Sequence, residues 1–142
     1  MLKSIAMILL FSSTLISLTN ISKQDKEKIT TVVTQFAKYA DTQDATAMGT
    51  ILDDQYRAYL NRLMGSNAVS TIDKATYLQL LTDKKIGGEE RTVAISSLDI
   101  NGNNAFVKVS MKGQKLAFVS YLLLAKTESG EWKIVADMPA IK

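Results

Sequence analysis

The segment KLAFVSYLLLAK, Lys115–Lys126, decides the fold that this sequence predicts. It is rich in β-branched and aromatic residues and contains no glycine or proline, which favours a long strand. One face of that strand would carry Leu116, Phe118, Leu122 and Leu124, and the other Ala117, Val119, Tyr121, Leu123 and Ala125. Because both faces are apolar, we expect helices to cover one and a second sheet or a second molecule to cover the other.

An amphipathic helix is predicted over residues 22–42, before any strand. Ser22 followed by Asp25 resembles a capping box at its start. The apolar residues that follow recur at helical spacing and form one stripe: Ile29, Val32, Val33, Phe36, Ala37 and Ala40. Tyr39 lies at the edge of this stripe, where its hydroxyl could reach a cavity.

Two shorter helices are predicted further along the chain. Asp44 is a typical N-cap for a helix over residues 45–52, and Asp73 for one that continues to about residue 84. Gly87-Gly88 would end the latter. Residues 55–64 fit a helix and a strand comparably well, and their periodicity does not decide between the two.

The pattern changes to period two after Glu90. Strands are predicted over residues 91–100 and 105–112, on either side of a two-residue turn at Asn101-Gly102 or at Gly102-Asn103. The faces of the first strand agree along its length only if a bulge lies near Ser96-Ser97.

A second hairpin is predicted to turn at Ser129-Gly130, which pairs Leu123 with Ala136 and Tyr121 with Met138. Regular alternation then places Trp132, Ile134, Ala136 and Met138 on the face of Tyr121. Pro139 should end the strand, since it cannot donate to a ladder. Helices followed by a meander of strands predict an α+β fold with the helices on one face of an antiparallel sheet.

Composition excludes several functions. The 142 residues contain no cysteine and no histidine, which removes thiol nucleophiles, disulfides, the usual zinc sites and imidazole bases. The net charge is +3 and the charges are scattered, so no nucleic-acid partner is predicted. The acidic pairs Asp53-Asp54 and Glu89-Glu90 lack the spacing of a calcium loop, and we predict neither a metal site nor a cofactor.

Residues 1–19 have the pattern of a secretory signal peptide: an early Lys3, apolar runs and small residues near their end. Their apolar run is short for a bilayer span, although an uncleaved anchor is the alternative. We therefore expect an exported protein, periplasmic or secreted, with one domain over residues 20–142 and no membrane contact once the leader is removed.

Several short motifs together resemble a known family. They are Tyr39 and Asp44 at the end of the first helix, Tyr77-Leu78 before Ile86-Gly87-Gly88, Leu98-Asp99-Ile100 before Asn101-Gly102, residues 119–124, and Gly130-Glu131-Trp132-Lys133-Ile134-Val135. This pattern resembles the NTF2-like superfamily and its exported bacterial branch labelled "putative lumazine-binding", over residues 21–138. The resemblance implies a curved sheet around the first helix, a conical pocket between them and a homodimer through the outer sheet face.

We predict a pocket for an unknown small molecule between the first helix and the sheet. Its expected lining is Phe36, Tyr39, Tyr56, Tyr121, Trp132 and Met138. The strand acids Asp99 and Asp137 are candidate bases for an isomerase or dehydratase that would use a Tyr as donor. A structural role is the simpler interpretation for both acids. Ser120 stands where many relatives of this branch have an acid, which weakens the transfer of an acidic site.

Three functions follow from these observations. The first is non-catalytic binding or scaffolding in the pocket, which the absence of histidine favours over the second, an isomerase or dehydratase with an Asp–Tyr pair. The third is a module that docks another protein through the outer sheet face.

Overall fold

The computed structural model describes residues 23–63 and 65–142, so the predicted leader lies outside the described part of the chain. Helix α1 spans residues 23–41 and is followed by α2 (Ala45–Ile51), β1 (Leu52–Asn61), β2 (Val69–Asp73), α3 (Lys74–Thr82), β3 (Thr92–Asn101), β4 (Asn104–Lys112), β5 (Ala117–Lys126) and β6 (Trp132–Ile141). The α+β prediction is confirmed.

The six strands form one curved, unclosed sheet in the order β2-β1-β6-β5-β4-β3. All neighbouring strands are antiparallel except β1 and β6, which run parallel. The apolar stripe of α1 lies in the same core as the inner sheet face, through Ile29, Val33, Phe36, Ala37 and Ala40. Burial of this apolar stripe is what holds α1 against the sheet.

Residues 52–61 form a strand, which decides the ambiguous segment of the sequence. Tyr56, Ala58 and Leu60 are buried and alternate with residues of greater exposure. Pairing with β2 on one side and with β6 on the other supplies the backbone partners that a helix would have supplied internally.

The predicted caps of α2 and α3 are present. The Asp44 carboxylate accepts a hydrogen bond from the amide of Ala47, and Asp73 accepts one from Thr76. The β3–β4 register shifts between Ile95 and Ser97, which confirms the bulge expected there.

The predicted faces of β6 are wrong near the turn. Tyr121 does pair with Met138, and Leu123 with Ala136, but the register then shifts and Leu124 pairs with Ile134. A one-residue shift moves every following side chain to the other face. Trp132 and Ile134 are therefore buried in the core rather than on the face of Tyr121.

Pro139 does not end β6, contrary to the prediction, and the strand continues to Ile141. The last β6 residue paired with β1 is Asp137. Beyond it, β6 has a neighbour only in β5, so a residue without an N–H group is tolerated at a sheet edge.

The second face of β5 is open in this chain. Tyr121 is 49% exposed and Leu123 is 39% exposed, and they lie beside Phe106 on β4 and Met138 on β6. None of the described helices has the length and apolar character needed to span a membrane.

Candidate functional site

A cavity of about 360 Å³ lies between α1, the inner sheet face and the loop from α3 to β3. Most of its wall is apolar: Phe36, Ala40, Ala58, Leu60, Leu63, Ile72, Tyr77, Ile86, Met111, Leu116, Phe118, Pro139 and Ile141. Its polar wall residues are Lys85, Glu89, Arg91, Ser120 and Asp137. An apolar pocket of this size with a few polar groups is typical of a small-molecule site.

Aromatic rings from three elements contact one another here, and two of them, Phe36 and Tyr77, line the cavity. Phe36 of α1 stacks on Tyr77 of α3 with ring centroids 6.2 Å apart, and Tyr56 of β1 meets Tyr77 edge-on at 5.4 Å. Such pairs prefer these geometries and hold each other's rings in place. The rings therefore form a fixed aromatic wall.

Asp137 is the buried acid of the cavity. It is 5% exposed, and its Oδ1 atom has no hydrogen-bond partner in the described chain. Its pairing with Leu122, on the regular side of the β6 register shift, places it on the inner face, two pairs along the ladder from Ser120. A buried carboxyl oxygen without a partner is costly in a folded protein and marks a site where a ligand can supply the missing partner.

Burial raises the pKa of Asp137 to about 7, although the nearby Ser120 hydroxyl and the positive charge of Arg91 act in the opposite direction. The low polarity of the surroundings disfavours the charged carboxylate. Near neutral pH this acid can therefore take up or release a proton, or ionise when a cation enters.

Two tyrosine hydroxyls respond to the same acid. Burial raises the pKa of both Tyr56 and Tyr77, and the negative charge of Asp137 raises each further. Tyr56 is fully buried and its hydroxyl has no hydrogen-bond partner within the described residues. Both hydroxyls therefore keep their protons and can act as hydrogen-bond donors.

Arg91 is held in place by α1. Its Nε and its backbone amide donate to the two carboxylate oxygens of Asp41, and its Nη2 donates to the carbonyl of Ala37 at 3.1 Å. Two guanidinium nitrogens are thus bonded to α1. Arg91 is a half-buried partner of Asp41.

The mouth of the cavity is formed in part by the loop before β3. Glu89 lines it and accepts a hydrogen bond at 2.6 Å from the amide of Lys115, which ties this loop to the β4–β5 turn. Leu116 and Ile141 line the cavity and are 45% and 51% exposed. The opening is therefore largely apolar, with Lys85 and Glu89 as its charged groups.

Three of the residues predicted for the site come together. Phe36 and Asp137 line the cavity, and Tyr56 lies beside Tyr77 and close enough to Asp137 to respond to its charge. Asp137 thus lies in the cavity wall, the position that its interpretation as a candidate base required.

The other predicted residues lie elsewhere, and their assignment to one pocket is corrected. Tyr121 and Met138 lie on the outer sheet face, and Trp132 is in the core, bonded to Asp25 at the start of α1. Tyr39 packs at the edge of the core, away from the cavity wall. Asp99 is exposed and pairs with Phe106 near the end of the β3–β4 hairpin.

Ser120 and Tyr77 are site residues that the sequence patterns did not predict. Ser120 is a buried hydroxyl in a row that is otherwise Phe118, Leu122 and Leu124, and a polar residue inside an apolar row is the signal that could have identified it. Tyr77 had no such signal, because an aromatic residue at a helix position is more often plain core. Within residues 23–63 and 65–142, no cluster of three acidic side chains suits a metal ion.

A family model described as "Putative lumazine-binding" matches residues 24–138. That range contains α1 from its first turn and most of β6. No curated protein sequence matches the chain significantly.

Solved structures share the fold. An NTF2-like protein of unknown function from Shewanella baltica is 19% identical, with a TM-score of 0.73 over 84% of this chain and 94% of that one. Another from Silicibacter pomeroyi is 18% identical, with a TM-score of 0.74 over 85% and 98% of the two chains. A third, from Methylobacillus flagellatus, is 19% identical, with a TM-score of 0.70 over 84% and 93%. At these identities the likeness shows the fold alone.

Proposed function

Because the chain belongs to the "Putative lumazine-binding" family of NTF2-like proteins, we propose that it binds a small organic molecule in the cavity between α1 and the sheet. Binding without catalysis is the function that the site supports best. The observation that carries this proposal is the unpartnered Oδ1 of Asp137 in the wall of a largely apolar cavity.

The cavity chemistry describes the ligand. Its body is apolar or aromatic, because most of the wall is aliphatic or aromatic carbon. It carries a group that donates a hydrogen bond, because the free oxygen of Asp137 is an acceptor. Lumazine, the molecule in the family's description, is a flat bicyclic compound with N–H donors and meets both requirements.

Two measurements test this proposal. Native mass spectrometry of protein purified from its host would detect a small molecule that remains bound, and fluorescence titration would measure lumazine directly. We expect Asp137→Asn to weaken binding about tenfold or more, because the amide keeps one acceptor oxygen but loses the charge that strengthens a hydrogen bond from the ligand by over 1 kcal/mol. Asp99→Asn makes the same chemical change at an exposed position and should leave binding unchanged. Equal affinities for the two variants would contradict the proposal.

An isomerase is the second candidate. The pKa of Asp137 is raised to about 7 by burial, which suits a general base, and Tyr56 and Tyr77 offer protonated hydroxyls for a developing oxyanion. Turnover of a ketone or enol substrate that rises with pH through about 7, and that Asp137→Asn abolishes, would favour this function over simple binding.

The outer sheet face is the basis of a proposed homodimer. Phe106, Tyr121, Leu123 and Met138 form an exposed apolar surface across three adjacent strands. Contiguous apolar surfaces of this kind mark interfaces. Light scattering after size exclusion should give a dimer for the unmodified chain and a monomer for Leu123→Glu, whereas Val69→Glu, at an exposed position on β2, should remain dimeric. A monomeric unmodified chain would contradict this, and a complex with a different protein would favour the docking module instead.

Export remains a proposal that rests on the leader pattern of residues 1–19. The intact mass of the protein from a periplasmic or culture fraction would locate the cleavage site. Retention of the whole chain in the membrane fraction would favour the uncleaved anchor.

A further inference from the structure

We propose that the cavity takes a hydrophobic organic amine as its cation, with the ammonium group bound to Asp137 and the apolar body between the aromatic and aliphatic walls. This inference rests on the proposed binding function and adds the charge of the ligand. Its support comes from the lack of an ion-pair partner for Asp137 among the described residues, rather than from the shape of the cavity.

Of the two buried acids in the described part of the chain, Asp25 and Asp137, only Asp25 has an ion-pair partner. Four ion pairs involve the described residues, namely Lys74 with Asp54, Arg91 with Asp41, Lys126 with Asp25 and Lys133 with Glu131. None of them includes Asp137, although it is among the most buried acids of the described chain. A buried acid that lacks a cation is the group that a cationic ligand would satisfy.

The cation nearest to Asp137 does not fill this role. Arg91 lines the same cavity and its charge is felt by Asp137, but its guanidinium donates to Asp41 and to the carbonyl of Ala37. Lys85 lines the mouth, where Glu89 provides an opposite charge. The interior of the cavity therefore lacks a cation bonded to its acid.

One hydroxyl near the carboxyl group favours its charged form, although burial acts more strongly in the opposite direction. The Ser120 hydroxyl lies beside it, and the hydroxyl of Tyr56 is a donor without a partner. A carboxylate only accepts hydrogen bonds, so an ionised Asp137 could accept from these hydroxyls and from an ammonium group together.

The aromatic wall is complementary to the same ligand. Phe36, Tyr77 and Phe118 line the cavity, and the first two are stacked. Faces of aromatic rings attract cations, and this attraction increases when water is excluded. A cationic ligand with an apolar body would thus gain from both the acid and the rings, whereas an anionic ligand would be repelled by Asp137.

Three probes of nearly the same shape test this inference by isothermal titration calorimetry on the full chain: naphthylmethylamine, naphthylmethanol and naphthoate. We expect the amine to bind about tenfold or more tightly than the alcohol at about pH 8, and naphthoate to bind most weakly. Amine affinity should fall about tenfold between pH 8 and pH 6, because the carboxylate is lost while the amine stays charged.

Variants separate charge from folding. Asp137→Asn keeps the shape and removes the charge, so it should abolish the preference for the amine, while Ser120→Ala keeps the acid and should retain the preference. Asp99→Asn is the surface control, and circular dichroism verifies that each variant is folded.

The outcomes are distinct for the two proposals. Equal or tighter binding of the alcohol overturns the amine inference and leaves small-molecule binding in place. Failure of all three probes, together with no molecule retained from the host, overturns both.

Discussion

The indole Nε1 of Trp132 donates a hydrogen bond to Oδ1 of Asp25 at a distance of 3.0 Å, across 107 positions of sequence. Lys126 reaches the same carboxylate at 3.0 Å and lies over the Trp132 ring. Burial acts to raise the pKa of Asp25, but the hydrogen bonds from Trp132 and Lys126 outweigh it and lower that pKa. The first turn of α1 is thereby fastened to the ends of β5 and β6.

Asp25→Ala should lower the free energy of unfolding by about 2–4 kcal/mol, because it leaves a buried indole N–H and a partly buried ammonium without their acceptor. Urea denaturation measures the loss. Glu27→Ala removes an exposed carboxylate from the same helix and should change stability by less than about 0.5 kcal/mol. Similar losses for the two variants would contradict a specific role for Asp25.

The Trp132–Asp25 contact was not predicted from the sequence, in contrast to several local features. The stripe of α1, the caps at Asp44 and Asp73 and the pairing of Tyr121 with Met138 follow from local patterns and were predicted. The register shift beside Leu124 leaves no comparable signal, since either register pairs apolar residues. A single extra residue then moves Trp132 from the face of Tyr121 into the core. This shift explains why the predicted pocket combined core residues with surface residues.

The candidate site was harder to predict for a related reason. Its polar groups come from β5, β6 and the loop before β3, so their proximity depends on strand order rather than on spacing in the sequence. Asp137 was recognised as a strand acid, but its inward direction depends on the pairing of β6. The order β1-β6-β5, with β1 parallel to β6, is a global property that the hairpins alone do not fix.

Tyr56→Phe should raise the free energy of unfolding by about 1 kcal/mol and weaken ligand binding. The substitution removes a buried hydroxyl without a partner, whose desolvation is uncompensated, and keeps the ring. The same hydroxyl is one of the donors near Asp137, so stability and binding should change in opposite directions. Tyr59→Phe is the matched control, since Tyr59 is 41% exposed on the same strand. A destabilised Tyr56→Phe variant would show that the hydroxyl is satisfied in solution.

Gly87→Ala should cost about 2–4 kcal/mol in the free energy of unfolding. Gly87 has a φ of +72°, and a Cβ atom there would overlap the carbonyl of Ala40 in α1. That carbonyl also accepts a hydrogen bond from the amide of Gly88 at 3.0 Å, so the helix end and the loop cannot easily separate. Gly102→Ala introduces a side chain at a φ of +60° with open space around it and should cost only about 1 kcal/mol. Chemical denaturation measures the loss of stability in both variants. Gly102→Ala reports the backbone strain alone, and Gly87→Ala reports the strain together with the steric overlap. Equal losses would contradict the close approach at Gly87.

The stability of the unliganded protein should fall as pH rises from about 4 to about 7, by up to about 4 kcal/mol from Asp137 alone. Burial raises the pKa of this acid from 3.8 to about 7 in the folded state. Below the unfolded pKa the carboxyl is protonated in both states and its contribution is fully present. As pH increases from the unfolded pKa through the folded pKa, ionisation of the carboxyl group stabilises the unfolded chain more than the folded chain.

Urea denaturation at several pH values, with Asp137→Asn as the comparison, measures this dependence. The variant carries no titrating group at that position, so its stability should change less across the same range, while Asp99→Asn should follow the unmodified protein. Parallel curves for Asp137→Asn and the unmodified chain would mean that Asp137 ionises normally. A bound amine would reverse the slope, because it stabilises the ionised carboxylate in the folded state. The sign of the pH dependence with and without naphthylmethylamine therefore reports directly on the charge that the cavity accepts.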